Sequence, residues 1–340
     1  MIRRPTRRFL RLAVFTAALA AVLAACTRDY PYNSLAPAGP VAEKQAGLFW
    51  LVFWIAAAVF VLVEGALVYA LWRFRRRSPD DRPRQVHGNT RLEIAWTIIP
   101  ALLLAGVAVP TVGTIFDLAE SPPGAMRIEV VGHQWWWEIR YPDLQLVTAN
   151  EVHIPTGEQV VFELTSEDVI HSFSVPRLAG KQDVVPGRTN TLNFSATEPG
   201  TYRGQCQEFC GLSHAYMKFR VVAHEPADFE AWVQGELAQA AAPEAGSLAE
   251  QVLPTCLACH SIQGVGGPDP DAPPPPIVGP DLTHVGSRQT LAAGKLPNTE
   301  DGLATWLSDP PAVKAGSKMP DYNLTGDEID ALVEYLRSLK

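Results

Sequence analysis

Gly204-Gln205-Cys206-Gln207-Glu208-Phe209-Cys210-Gly211-Leu212-Ser213-His214-Ala215-Tyr216-Met217 places two thiols, an imidazole and a thioether within one loop's reach. The spacing C-x3-C-x3-H-x2-M is a soft donor set, suited to copper rather than to a hard cation. A copper site that shuttles one electron must suit both oxidation states; thiolate and thioether favour Cu(I), and imidazole tolerates both. A single-copper blue site uses one cysteine. Two bridging thiolates can instead hold two copper ions, each completed by an imidazole. His214 is local, and His171 in Asp168-Val169-Ile170-His171-Ser172-Phe173 is the candidate for the second. Met217 is then a weak ligand on one copper and the Glu208 carbonyl on the other. On spacing alone, a Cys206–Cys210 disulfide in an exported domain and a tetrahedral zinc site stay open.

Downstream, Cys256-Leu257-Ala258-Cys259-His260 is the c-type haem attachment pattern. The two thiols form thioethers to the haem vinyls, and His260 supplies one axial ligand. Met319, in Gly316-Ser317-Lys318-Met319-Pro320, is the candidate for the other, with His284 as an alternative. Met/His ligation raises the potential and suits electron transfer. A zinc or thiol-redox site is the competing reading. The chain has five cysteines. Four serve these two motifs and the fifth is Cys26, so no thiol is left for a structural disulfide.

Around the first motif the pattern has period two. Ile128-Glu129-Val130, Val160–Leu164, Thr191–Phe194 and Lys218–Val221 read as short strands punctuated by Pro155-Thr156-Gly157, Pro186-Gly187 and Pro199-Gly200. Such spacing predicts an all-β sandwich or barrel over 126–225. Residues 226–246 read as a linker after a short helix at Pro226–Leu237. Ser247-Leu248-Ala249-Glu250 and Thr325-Gly326-Asp327-Glu328 are helix-start signals. With Ile329, Leu332, Val333 and Leu336 at helical spacing, they predict a small all-α domain over 247–340. Pro273–Pro276 reads as a solvated excursion.

Toward the N-terminus, Gly47–Trp72 and Ile94–Phe116 each exceed the ~20 apolar residues that span a bilayer. Arg73, Arg75, Arg76, Arg77, Arg82, Arg84 and Arg91 lie between them, so 47–118 reads as two transmembrane helices joined by a cytoplasmic loop. Both ends of the mature chain then lie outside, with 26–46 an external segment. Residues 1–25 have a basic start and an apolar stretch, as in an export signal. The ending Leu23-Ala24-Ala25-Cys26 resembles a bacterial lipoprotein cleavage box, which would lipidate Cys26; an ordinary signal with a chance cysteine is the alternative. The formal net charge is −8, which argues against a nucleic-acid partner.

Four motifs in order carry a resemblance: Trp96-Thr97-Ile98-Ile99-Pro100, Gly132-His133-Gln134-Trp135-Trp136-Trp137, Glu167–Pro176 and Gly204–Met217. Over roughly residues 45–225 the chain resembles cytochrome c oxidase subunit II, and 247–340 resembles a class I cytochrome c, including a loop Gly279-Pro280-Asp281-Leu282. The resemblance implies a cupredoxin-like barrel and a dinuclear copper centre, CuA, on His171, Cys206, Glu208 (carbonyl), Cys210, His214 and Met217. It also implies a magnesium ion against the Glu208 side chain at the contact with subunit I. Trp135 matches the residue where electrons enter the family's copper domain, and Glu93 matches a carboxylate at a proton-channel mouth. Tyr is usual where Trp136 stands, a mild departure.

These readings together describe a multidomain membrane protein: a two-helix hairpin, an all-β cupredoxin-like domain and an all-α cytochrome c domain. It would pass electrons from a donor, such as a cytochrome c or a cytochrome bc1-type complex, through haem c and CuA to subunit I of an oxidase that also holds subunit III. Oxygen reduction and proton pumping would belong to subunit I. The expected location is the bacterial plasma membrane with both redox domains on the periplasmic side. The alternatives are an electron-transfer subunit of a CuA-containing nitric oxide reductase and a membrane copper-binding assembly module.

Overall fold

The computed structural model describes residues 14–18, 20, 30–79, 85, 87–268 and 278–340. Cys26, most of the signal at 1–25, Arg82, Arg84 and Pro273–Pro276 lie outside the described residues.

Two long helices come first, α1 (Pro40–Arg73) and α2 (Thr90–Ala119). In hydrocarbon a chain must satisfy every backbone N–H and C=O within itself, so an apolar run of this length becomes helix. Only 6% of the apolar stretch of α1 and 0% of that of α2 is buried, the opposite of a soluble core helix. Helix α1 starts at Pro40, ahead of the apolar run predicted from Gly47. Proline at its first turn gives up an N–H that would have had no partner. Ala38 N–H donates to Arg177 O at 2.7 Å, Ala42 N–H donates to Leu178 O at 3.2 Å, and Ala42 is buried. The outer end of the hairpin is therefore built onto the next domain, which apolar content alone does not report.

Residues 126–224 hold ten strands: β1 (Met126–His133), β2 (Trp136–Tyr141), β3 (Leu146–Ala149), β4 (Glu151–Pro155), β5 (Val160–Ser166), β6 (His171–Ser174), β7 (Lys181–Val184), β8 (Asn190–Phe194), β9 (Gly200–Cys206) and β10 (Lys218–His224). They form two five-stranded sheets, ordered β3-β2-β1-β5-β8 and β4-β10-β9-β6-β7. The pairs β1/β5 and β4/β10 are parallel and the rest antiparallel. Strand β5 shows the period-two logic: Val160, Phe162 and Leu164 face the core at 0% exposure while their neighbours do not. The two inner faces meet on an aromatic core. Phe173 and Phe219 stack at 4.0 Å, and Trp137 lies edge-on to Phe173 at 5.4 Å and to His171 at 5.8 Å. Each such pair is worth about 0.5–1.5 kcal/mol beyond its buried area. The core thus also fixes the ring of a candidate ligand.

Helix α3 (Pro226–Glu236) leaves the sandwich. Its Trp232 stacks on His153 at 4.2 Å, and His153 Nδ1 lies 2.8 Å from His224 Nε2. These two histidines tie α3 to the sandwich. The C-terminal domain follows with α4 (Leu248–Leu257), β11 (Thr290–Leu291), β12 (Leu296–Pro297), α5 (Glu300–Ser308), α6 (Pro310–Val313) and α7 (Gly326–Ser338). Thr325 and Glu328 form a reciprocal capping box at α7. At α4 the Ser247 hydroxyl accepts from Glu250 N–H, but the Glu250 carboxylate accepts from Gly246 N–H, one residue short of the full box. Leu332, Val333 and Leu336 of α7 pack with Leu253 of α4 and Leu303 and Leu307 of α5. The three-part architecture is the one the sequence predicts.

Candidate metal centres

The C-x3-C-x3-H-x2-M motif is the connection from β9 to β10. Cys206 N–H donates to Met217 O at 2.9 Å, so the two ends of the loop meet. Cys210 Sγ lies 3.8 Å from Cys206 Sγ, 3.5 Å from His214 Nδ1 and 3.9 Å from Met217 Sδ. Cys206 Sγ lies 3.2 Å from the Glu208 carbonyl oxygen. Strand β6 pairs with β9, Phe173 opposite Cys206, which brings His171 to the same end. A His171 ring nitrogen and the two sulfurs all fall within 4.8 Å of one another.

Two buried features of this cluster are what a metal site needs. His171 Nε2 lies 2.9 Å from Asp168 Oδ1, and the buried Nδ1 has no hydrogen-bond partner. An ionised carboxylate only accepts, so Nε2 carries a proton, and in the neutral imidazole Nδ1 keeps its lone pair. A buried unpaired acceptor beside two sulfurs is costly unless a cation takes it. Burial pushes the Asp168 carboxyl up, but hydrogen bonds from His171, Val169 N–H and Gln134 N–H outweigh it and hold it well below the usual carboxylate range. Between the thiols, the hydrogen bond shared with Cys210 is the main force lowering the Cys206 pKa, and the same bond raises Cys210. The pair thus favours ionising one sulfur first, and a metal would displace the proton that remains. The sulfurs stand too far apart for a bond of about 2.05 Å, and with a thioether in the set the donors suit copper better than zinc.

In the C-terminal domain Cys256, Cys259, His260, Leu303, Trp306 and Met319 line one cavity. His260 Nδ1 donates to the Pro280 carbonyl at 2.6 Å. That bond fixes the tautomer and leaves Nε2 free for iron. Burial lowers the His260 pKa, which keeps the imidazole neutral and able to ligate. Gly279 lies so close to the ring that a methyl there would sit 2.4 Å from His260 Cε1. The cavity fits a porphyrin held by two thioethers, with His260 and Met319 as axial candidates. His284 is not among its lining residues; its Nε2 lies 3.1 Å from the Glu236 carbonyl, which removes it as an axial alternative.

The cavity does not end at the domain boundary, for Trp135 and Trp136 of the β sandwich line it too. Trp135 is buried, and its Nε1 donates to Cys210 O at 3.0 Å. Its ring is wedged between two glycines, both at positive φ. A methyl on Gly211 (φ 113°) would lie 2.9 Å from Trp135 Cζ2, and one on Gly316 (φ 80°) would lie 2.6 Å from Cη2. Gly211 belongs to the copper-type loop and Gly316 to the segment before Met319. Each needs a backbone conformation, and a closeness to the indole, that a side chain would deny.

Comparisons with known proteins agree with the three-part architecture. The family models "Cytochrome C oxidase subunit II, transmembrane domain", "Cytochrome C oxidase subunit II, periplasmic domain" and "Cytochrome c" match residues 32–113, 144–224 and 248–340. The cytochrome c oxidase subunit 2 of Alkalihalophilus pseudofirmus is 38% identical over 98% of this chain and 97% of that protein. The chain belongs to the cytochrome c oxidase subunit 2 family. The subunit 2 of Bacillus subtilis is 34% identical over 97% of this chain and 98% of its own length. As a member of that family with a C-terminal cytochrome c domain, the chain is a membrane-anchored electron-transfer part of an oxidoreductase complex. Its two extramembrane domains imply copper and haem c.

Glu93 lies in the first turn of α2, its carboxylate accepting from Asn89 N–H at 3.2 Å. The Glu208 carboxylate is half exposed, 3.9 Å from Lys181 Nζ. Phe209 and Leu212 at the loop tip are 78% and 77% exposed, an apolar face beside the buried Cys206, Cys210 and Met217. Trp135 is interior. Sequence reasoning gave no role to Asp168, Glu151 or Lys314, and placed Pro280 in a cytochrome-like loop without its bond to His260. Asp168 had a usable signal, a carboxylate three residues before His171. For the other three the partner lies far along the chain.

Proposed function

We propose that this chain carries electrons from an external donor to subunit I of a haem–copper oxidase, where oxygen is reduced to water with proton pumping. His171, Cys206, the Glu208 carbonyl, Cys210, His214 and Met217 would hold CuA. Cys256 and Cys259 would bind haem c covalently, with His260 and Met319 on the iron. When bound, both groups supply reversible one-electron chemistry and nothing else. The observation that carries this reading is the wedging of Trp135 between Gly211 and Gly316: one indole touches the loops of both candidate centres.

The protein's own part is to position and to exclude water. Asp168 holds the His171 ring and Pro280 holds the His260 ring, and bonds of this kind to the ligands tune potential. Phe209 and Leu212 offer the face toward subunit I, and the half-exposed Glu208 carboxylate would take magnesium there. Glu93 would stand at the mouth of a proton path into subunit I. The arginine-rich connection of α1 and α2 would face the cytoplasm, with both redox domains outside the plasma membrane, Cys26 lipidated and subunit III alongside.

Flash reduction of haem c in the purified complex tests the reading. The expected result is oxidation of haem c matched by reduction of CuA, and donor-driven oxygen uptake. Nitric oxide consumption without oxygen uptake would move the chain to the reductase reading, and a chain that binds copper but transfers no electron would be an assembly module. Asp168→Asn is expected to weaken copper binding by about 10–100-fold, the usual cost of removing a group that orients a ligand. Chelator competition measures it, and unchanged affinity would leave Asp168 without that role.

A further inference from the structure

We propose that Glu151 and Lys314 form a two-point clamp that seats the C-terminal domain on the β sandwich in the register that lays Gly316 against Trp135. The inference rests on the reading of the chain as a haem-to-copper wire and deepens it.

Glu151 opens β4 and is 2% exposed. Its Oε1 accepts from Gln289 N–H at 2.7 Å and from Thr290 N–H at 3.3 Å, where β11 begins in the other domain. Lys314 follows α6 and is 4% exposed. Its Nζ donates to the Trp135 carbonyl at 2.6 Å and to Ala292 O at 2.9 Å. Each domain thus sends one buried ionisable side chain to main-chain atoms of the other. Ser213 Oγ, inside the copper-type loop, adds a third contact by donating to Ala315 O at 2.6 Å.

Neither Glu151 nor Lys314 has an oppositely charged partner within salt-bridge distance among the described residues. Burial of such groups is costly, so adhesion alone does not account for them; apolar residues of the same volume would adhere as well or better. Backbone atoms, unlike side chains, cannot swing to follow a shifted partner. A clamp onto them is satisfied in one relative placement of the domains and penalised in neighbouring ones. The exposed contacts of the interface, Lys318–Asp168 at 3.4 Å and Arg220–Gln289 at 2.9 Å, lie in water and discriminate little.

The placement the clamp selects bears on the wire. Lys314 grips the Trp135 carbonyl, and Gly316, two residues on, lies against the Trp135 ring. Both ends of Trp135 are therefore set by one short segment that leads directly to Met319. Burial pushes the Lys314 ammonium down to about 7, and burial raises the Glu151 carboxyl. Both act as positioning residues that touch no metal donor.

The test uses full-length chain in its complex, as Glu151→Leu, Lys314→Met and Glu151→Gln. Hydrogen exchange is read at Gln289–Leu291 and at 132–137, and the haem-to-copper rate is read after flash reduction. Glu151→Leu and Lys314→Met are expected to speed exchange and slow transfer, each by about tenfold or more, with haem and copper spectra and potentials unchanged. Glu151→Gln keeps an acceptor oxygen and is expected to behave as wild type. Wild-type exchange and rate in both Glu151→Leu and Lys314→Met would overturn the clamp, as would Glu151→Gln failing like Glu151→Leu. If Glu151→Leu does not assemble, Lys314→Met decides alone. A wild-type chain without haem-to-copper transfer would defeat the functional reading, while the exchange data would still judge the clamp.

Discussion

Cys210→Ser is expected to abolish the dinuclear copper signature and to leave the haem c bands unchanged. Cys210 is the hub of its cluster, with Cys206, His214 and Met217 donor atoms all within 3.9 Å of its sulfur. A serine hydroxyl is shorter and harder, and it stays protonated near neutral pH, so it neither bridges two copper ions nor favours Cu(I). The fold itself has other support. The Cys210 carbonyl, which accepts from Gln134 Nε2 at 2.7 Å and from Trp135 Nε1 at 3.0 Å, is a backbone group that the substitution keeps. The haem cavity draws on Cys256, Cys259 and His260 with a separate apolar core. Absorption and electron paramagnetic resonance spectra of the purified variant check both halves. Survival of the copper signal would break the ligand assignment, and loss of the haem bands would show that the domains do not fold independently.

Trp135→Leu is expected to slow haem-to-copper transfer by about 10²-fold, the scale on which a misplacement of ~1 Å in a positioned pair is felt. Leucine removes the indole that fills the space between Gly211 and Gly316, and with it the donor to Cys210 O. The peptide carbonyl stays, so the Lys314 contact survives. Flash photolysis gives the rate. Haem and CuA spectra serve as controls, since Trp135 is a ligand of neither. An unchanged rate would mean that the route avoids the indole.

What the amino-acid sequence revealed and what it hid divide by range. Ligand candidates with tight local spacing, such as Cys206, Cys210, His214 and Met217, or Cys256, Cys259 and His260, were legible because each set lies in one turn of chain. The membrane spans and the Thr325 capping box were legible for the same reason. The joining of His171 to the sulfur loop was reached through resemblance and residue type. In space it depends on β6 pairing with β9, a choice that no single strand's alternation dictates. The parallel pairs β1/β5 and β4/β10 were hidden likewise.

The domain contact was least legible of all. Glu151 reads as an ordinary strand-edge carboxylate and Lys314 as a solvated lysine until Gln289 and Trp135 are brought to them across 138 and 179 residues. Gly316 appears as turn punctuation before Met319, and its closeness to an indole in another domain leaves no local trace. The start of α1 at Pro40 follows the same rule, because its first turn answers to Arg177 and Leu178 rather than to hydrophobic length.

Metal content and spin state of the purified full-length chain test the central claim most directly. The account predicts two copper atoms and one iron per chain, with a mixed-valence dinuclear copper signal that disappears in Cys210→Ser. Zinc bound at the Cys206–Cys210 pair, or a disulfide joining those two sulfurs in the mature protein, would contradict it.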